Sequence, residues 1–320
     1  QNLAGLSLAV AVNDEIIWAE GFGLADLPQR SPVTPQQRFR IGTAATPFTA
    51  TAVGLLLDQG RLRLDDDIRT YVPTFPAQTK PITIRHLLGH LSGMRNDGGD
   101  ESPLYGQSCQ RPLDALPHFS GLSLRAEPGA SLHFSSYGYI LLAAAVESAA
   151  QIPFAQFLRQ HIFQPLHMQD TLPEPSGQLL PQQALSYFPR FAADPTYGLD
   201  PMRDLDYSCF LGASGLVSTP SDLLRFSLAV HHQRLLSPAA LRHGAAWKTD
   251  TLALPGESTK VIFQNGDILG GRAATIFAIP SRHLHIAVLS NTSYADTYTI
   301  ATTLAQSFAS AAPAKSLPAR

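Results

Sequence analysis

Strand-forming sequence sits at the two ends of this chain, and that placement constrains the fold more than any other feature. Leu6 to Val12 and Glu15 to Gly21 are apolar-rich runs joined by Asn13-Asp14. Two such runs across a two-residue polar joint predict a β-hairpin. Near the other end, Ala273 to Ile279 and His285 to Leu289 flank Pro280-Ser281-Arg282 and predict a second hairpin. A helix is expected to follow over Thr297 to Ala311, with Ala, Leu and Phe at helical spacing. Between the ends the chain reads mostly as helices and loops. Pro47 to Asp58 has Pro in its first turn and Gly60 just past its end, a helix start and stop. Thr83 to His90, Tyr137 to Ala149, Phe154 to Phe163 and Ser221 to Val230 read as further helices. The simplest assembly is an α+β fold: an antiparallel sheet formed by the N- and C-terminal strands, flanked by helices, plus an all-helical subdomain. On this reading residues 1–320 form a single domain. Its α/β part takes roughly 1–60 and 210–320, and its helical insertion roughly 61–209.

Composition excludes several functions. The 44% apolar and 15% charged residues describe an ordinary globular chain, not a disordered one. Net charge is −2 with Lys and Arg scattered, so no basic stripe is present to grip nucleic acid. No apolar run reaches the length of a membrane span. The chain starts at Gln1 without a charged leader, which reads as a mature chain freed of its signal peptide, or a trimmed one. The expected location is therefore exported, periplasmic or extracellular. There are two cysteines, Cys109 and Cys209. In an exported protein they would form one bridge, and in the cytosol they would be two buried thiols. Their polar, loop-like flanks, Tyr105-Gly106-Gln107-Ser108 and Asp206-Tyr207-Ser208, favour the bridge. They are too few for a metal cluster, and no cofactor is expected.

The segment Phe39-Arg40-Ile41-Gly42-Thr43-Ala44-Ala45-Thr46-Pro47-Phe48-Thr49-Ala50 resembles the nucleophile segment F-R-I-G-S-x-S-K-x-F-T-A of class C β-lactamases, penicillin-binding D,D-peptidases and related esterases. The resemblance continues through Leu62-Arg63-Leu64-Asp65-Asp66-Asp67-Ile68 and through Ile82-Thr83-Ile84-Arg85-His86-Leu87-Leu88-Gly89-His90-Leu91-Ser92-Gly93-Met94. Pro128-Gly129 with Phe134-Ser135-Ser136-Tyr137-Gly138-Tyr139 is similar to that family's "PG…YSxxGY". Gly212-Ala213-Ser214-Gly215-Leu216-Val217-Ser218-Thr219 is similar to "AGGLVST". Order and spacing match across almost the whole chain. The second block looks closest to the branch that contains the mitochondrial serine β-lactamase-like protein and its bacterial relatives.

The resemblance implies three catalytic motifs. A Ser attacks a carbonyl, a Lys three residues later shares its helix face, a Tyr shuttles the proton, and K-T-G or H-x-G on a strand supplies charge or hydrogen bonds. Here the Ser position holds Thr43, the Lys position Thr46 and the Tyr position Phe134, with Ser136 the next polar residue of that motif. Counting back from Gly270-Gly271 places the third motif on Gln264-Asn265-Gly266, where only the Gly survives. Thr46, Phe134 and Gln264 offer no titratable group near neutral pH. General-base help is worth about two to four orders of magnitude in rate, and an unassisted hydroxyl is a weak nucleophile. No displaced S-x-x-K exists, because Lys80, Lys248, Lys260 and Lys315 are preceded at that spacing by Ala77, Ala245, Glu257 and Ala312.

Other signals have plainer readings. Thr43 and Ser135-Ser136 suit helix starts. His86 and His90 stand four apart but lack the Glu of a zincin, so structural histidines fit better. Lys248-Thr249-Asp250 superficially resembles K-T-G but lacks its Gly. Asp65-Asp66-Asp67 reads as a solvated turn. Arg272 could meet an anionic ligand or face solvent. The expectation is a non-catalytic binding or scaffold protein whose cleft takes a peptide, a peptidoglycan-like fragment or an acyl ligand. The alternative is an active hydrolase in which Thr43 is served by a relocated base, His133 or Asp267 being candidates.

Overall fold

The structure is a computed structural model that describes residues 2–96, 102–191, 194–202, 206–240, 247–269 and 271–311. The strands, in chain order, are β1 (Gly5–Val12), β2 (Glu15–Asp26), β3 (Ser31–Pro32), β4 (Phe39–Arg40), β5 (Leu172–Pro173), β6 (Tyr187–Phe191), β7 (Asp194–Pro201), β8 (Leu216–Ser218), β9 (Lys248–Leu254), β10 (Glu257–Ile268), β11 (Gly271–Ile279) and β12 (Leu284–Ser290). The α-helices used below are α1 (Thr46–Asp58), α2 (Ile84–Leu88), α3 (Leu116–Phe119), α4 (Ser136–Ala150), α5 (Phe154–Leu158), α6 (Pro220–His231) and α7 (Thr297–Ala311).

The two chain ends meet in one antiparallel sheet of order β3-β2-β1-β12-β11-β10-β9. Its first hairpin turns at Asn13 and Asp14, both at positive φ (50° and 72°). Two positive-φ residues make the turn that matches strand twist, and Asn and Asp tolerate that conformation. At the centre β1 lies along β12, from Leu6 opposite Ser290 to Val12 opposite Leu284. Both faces of these central strands are covered, so their sequence is a continuous apolar run instead of an alternation. Ala9, Ala11, Ile276 and Leu289 face α1 and α6 in the larger core. Leu8, Val10, Phe277 and Val288 face Ala301 and Ala305 of α7 in a smaller one.

Beyond the sheet, α1 and α4 pack together in the larger core, and Phe48 of α1 meets Phe163 and Phe226 at 5.5 and 4.2 Å. The α4 helix starts where Ser135 Oγ accepts from Gly138 N–H at 3.3 Å, an N-cap. Its apolar residues are enclosed, and no single helix among the described residues is long and apolar enough to cross a membrane. Several features depart from the sequence reading, and the sheet gains β3, β9 and β10 beyond the two expected hairpins. The expected helix over Phe154 to Phe163 is α5 followed by a π-helical turn at Arg159–Phe163. The stretch read as helical also carries β5 and a two-stranded ribbon, β6 with β7. Pro189, Gly198 and Pro201 interrupt the alternation by which a strand is recognised.

A histidine cluster closes one corner of the sheet. His285 of β12 is fully buried, with Nδ1 at 2.8 Å from Ser227 Oγ and with Nε2 lacking a partner among the described residues. Burial pushes it down to about 3, with the neighbouring His231, His232 and His283 adding to the effect and Asp14 opposing it. His231 is lowered by burial as well, and His90, elsewhere, is pushed down to about 4 by burial with help from Lys248. These rings are folded in their neutral forms, whereas the unfolded chain protonates them near 6.5. The unfolded state therefore binds more protons below that pH, and stability contributed by neutral burial is present above 6.5 and lost as pH falls towards 4. For the well-buried His285 and His90 this costs up to about 1.4 kcal/mol per pH unit in that window, while His231, only partly buried, contributes less. Thermal melts at pH 7, 6 and 5 should show a falling Tm, with a shallower fall in His285→Gln.

Candidate active-site cleft

The residues aligned with the nucleophile segment enter the sheet's edge through a tight backbone approach. Gly42 has φ +53°, and a Cβ there would stand 2.2 Å from Asp267 O. Across the gap, a Cβ on Gly266 would stand 2.0 Å from Ile41 O. Glycine at both positions lets the 3-10 turn Gly42–Ala45 lie against β10. A Gly266→Ala change must push these two backbones apart. Overpacking of this kind costs about 1–3 kcal/mol, and a Tm lowered by several degrees with weaker packing of β10 is the expected result.

That turn runs directly into α1, and residues three apart eclipse on a 3-10 turn. Thr43 and Thr46 are such a pair. Thr46 Oγ1 donates to Thr43 O at 2.9 Å and accepts from Gln264 Nε2 at 3.3 Å. Because the Thr46 proton is committed to that carbonyl, the Gln264 amide must present its nitrogen. Its Oε1 is left buried and without a partner among the described residues. Thr43 Oγ1 accepts from Asp267 N–H at 3.0 Å and points its own proton at Asn265 O, 3.5 Å away. Asn265 Oδ1 accepts from Thr275 Oγ1 at 3.0 Å. The hydroxyl is thus held by strand backbone, and among the described residues no basic side chain forms a hydrogen bond with it.

A cleft of about 230 Å³ opens in front of Thr43. Its aromatic wall is Phe134, Tyr105 and Tyr207, and its polar wall includes Asn96, Ser136 and Ser214. Asp267, Ile268 and Leu269 line the strand side. Phe134 lays its ring on His90 at 4.7 Å, and His90 stacks in turn on Tyr139 at 4.9 Å. Ser136 N–H donates to Asn96 Oδ1 at 3.0 Å, and Ser135 Oγ donates to Arg95 O at 2.7 Å. Tyr207 sits over the guanidinium of Arg40, 4.6 Å from ring centre. Arg40 is itself paired with the buried Glu174. The Arg of the nucleophile segment therefore props one wall of the cleft.

The Asp267 carboxyl is surrounded by cleft walls yet open to solvent on one side. Desolvation raises it above the usual carboxylate range, with the charges of Arg272 and Lys248 opposing. Neither cation bonds to it. Arg272 is not among the cleft-lining residues: its guanidinium pairs with Asp296 at 3.3 Å and lies over the Tyr298 ring. Gly270, the landmark used to place the third motif, lies outside the described residues. His133 bonds Ser131 Oγ at 3.0 Å and is absent from the cleft lining. His86 completes a capping box with Thr83 at the start of α2. No group of His, Cys, Asp and Glu that could hold a metal occurs among the described residues. Asp65 pairs with Arg85, Asp66 accepts from Tyr71, and Asp67 caps a short helical turn.

The disulfide Cys109–Cys209 is formed, and it ties together the two loops that carry Tyr105 and Tyr207. Asn96, Tyr105 and Tyr207 escaped the sequence reading as cleft residues. Their one signal was the position of both tyrosines beside the bridged cysteines. A larger cavity of about 800 Å³, lined by Arg159, Phe163, His167 and Thr171 among others, shares no residue with this cleft. It holds none of the motif positions, so the smaller cleft is the functional candidate.

Comparison with known proteins agrees with this architecture. The sequence matches the family described as Beta-lactamase over residues 1–309. It is 30% identical over 248 residues to penicillin-binding protein 4* of Bacillus subtilis (strain 168), covering 73% of this chain and 54% of that protein. It is 22% identical over 311 residues to protein flp of Staphylococcus aureus (strain N315), covering 91% of this chain and 60% of that one. The chain thus spans a little over half the length of these relatives. Among solved structures, D-amino acid amidase from Ochrobactrum anthropi SV3 superposes with TM-score 0.79 at 23% identity, covering 97% of this chain and 95% of that one. The octameric penicillin-binding protein homologue from Pyrococcus abyssi superposes with TM-score 0.74 at 20% identity, covering 96% and 74%. A full-length family match, a curated relative at this identity and the same antiparallel sheet with its helices together place the chain in the beta-lactamase family, beside the penicillin-binding proteins.

Proposed function

We propose that this chain is an exported, non-catalytic member of its family that binds a peptide, a peptidoglycan-like fragment or an acyl ligand in the cleft without turning it over. One observation carries the reading: among the described residues, the hydroxyl at the nucleophile position, Thr43 Oγ1, has backbone partners alone. Acyl transfer by an alcohol needs a neighbour to take its proton. The positions that would supply one hold Thr46, whose hydroxyl is committed to Thr43 O, and Phe134, which has none. Preservation of the cleft around them supports binding, and the disulfide supports an oxidising compartment. The names of its relatives, a penicillin-binding protein and a D-amino acid amidase, support a penicillin-like or amide-bearing ligand.

A hydrolase with a relocated base has one observation in its favour, the Asp267 carboxyl that lines the cleft with Thr43 and is raised by desolvation although the residue is exposed. Against it, Asp267 reaches the Thr43 hydroxyl through its backbone N–H, which occupies the oxygen without relieving it of its proton. The test is turnover of nitrocefin and a p-nitrophenyl ester by the native chain and by Thr43→Ala. The expected result is the same negligible rate in both. Turnover that disappears in Thr43→Ala would defeat the proposal, and turnover that also disappears in Asp267→Asn would establish the alternative.

A further inference from the structure

We infer that the occupant of this cleft carries a protonated amine seated on Asp267, with an apolar or aromatic group against Phe134 and Leu269. The inference rests on the binding reading above and names the ligand class for the same cleft. Among the described lining residues Asp267 is the charged side chain, and its carboxylate forms no hydrogen bond or ion pair with any of the described residues. Asp267 is exposed as a residue, so its carboxylate keeps much of its water. The cleft walls desolvate it on one side, and there a charge-assisted bond to an ammonium replaces the hydration that is lost. The aromatic wall at Phe134 and Tyr105 favours the same sign, because ring faces attract cations, whereas the Tyr207 ring already carries Arg40.

An anionic ligand finds the opposite conditions. Arg272 is held by Asp296 and Tyr298 outside the lining, and Lys248 also lies outside it. Where the family's third motif supplies a charged residue, Gln264 is buried, its nitrogen donates to Thr46, and its unpartnered atom is an acceptor. Lys248 and Arg272 weaken the carboxylate's pull from a distance without bonding to it. An ammonium in direct contact with Asp267 gains more from the short distance than it loses to these farther cations.

Three probes of one shape separate the possibilities: 2-phenylethylamine, its N-acetyl derivative and 3-phenylpropionate. Calorimetry on the native chain at neutral pH is expected to rank the amine tightest, by about tenfold or more over the acetamide, with the carboxylate weakest. Asp267→Asn, checked by its thermal melt, should erase the amine's advantage. Equal affinities, a preference for 3-phenylpropionate, or no binding of the amine at millimolar concentration overturns the inference without using any variant. None of these results touches the non-catalytic reading, which fails separately on Thr43-dependent turnover.

Discussion

Installing Thr43→Ser, Thr46→Lys and Phe134→Tyr together should give p-nitrophenyl ester hydrolysis at least about 10²-fold above the native chain, the lower end of what proton transfer contributes. Each change is placed where the structure can accept it. Ser at position 43 removes a methyl that stiffens the side chain and leaves the oxygen on the same helix-entry turn. Lys at position 46 enters a buried site and needs acceptors. Gln264 Oε1 is already an acceptor without a partner there, and loss of the Thr46 hydroxyl frees the amide to reorient. Phe134 is 38% exposed and lines the cleft, so a hydroxyl added to its ring can reach solvent or a ligand. Thr46→Lys alone should destabilise the fold and give no rate, since a buried cation without a reacting partner is a cost. A folded but inert triple variant would mean that the cleft, and not proton handling alone, has been lost.

Removing the Cys109–Cys209 bridge should have the largest effect on stability. The two cysteines are separated by 100 residues. Freeing a loop of that length from the unfolded chain costs about 4.7 kcal/mol on the chain-entropy account, and measured losses run about 2–5 kcal/mol. Cys109→Ser with Cys209→Ser, or a reductant, should therefore lower the denaturation midpoint sharply. The effect should reach the cleft as well. Tyr105 packs on Tyr207 and Phe210 at 5.6 and 5.0 Å, and Tyr207 rests on Arg40. Ligand affinity should fall with reduction even at temperatures where the chain stays folded. Calorimetric binding with and without reductant measures this, and unchanged affinity would show that the aromatic wall is held by packing alone.

The sheet's centre was legible because burial on both faces leaves an uninterrupted apolar run, as in β1, β11 and β12. The outer strand β9 was not, because Lys248, Thr249, Asp250 and Thr251 are exposed and give no alternation to read. Two helix starts were legible through local chemistry, since Thr83 and Ser135 each accept a backbone N–H at their caps. The α6 helix, expected from Ser221, is instead capped by Thr219 and begins at Pro220. The cleft was legible in part. Thr43, Thr46 and Gln264 are joined by hydrogen bonds although 218 residues separate Thr46 from Gln264. Only the family's motif order could suggest that meeting, since spacing carries no information at that separation. Arg272 looked eligible from its place beside the third motif, but its ion pair with Asp296 draws it elsewhere. Asn96, Tyr105 and Tyr207 sit on irregular loops, where periodicity has nothing to detect.

Inactivity comes down to the proton on Thr43 Oγ1, and covalent labelling reports on it without a substrate assay. The native chain, disulfide intact, is incubated with a labelled penicillin and its intact mass measured, with Thr43→Ala alongside. An unshifted mass is expected in both. A penicilloyl adduct mapped to Thr43 and missing from the alanine variant would contradict it.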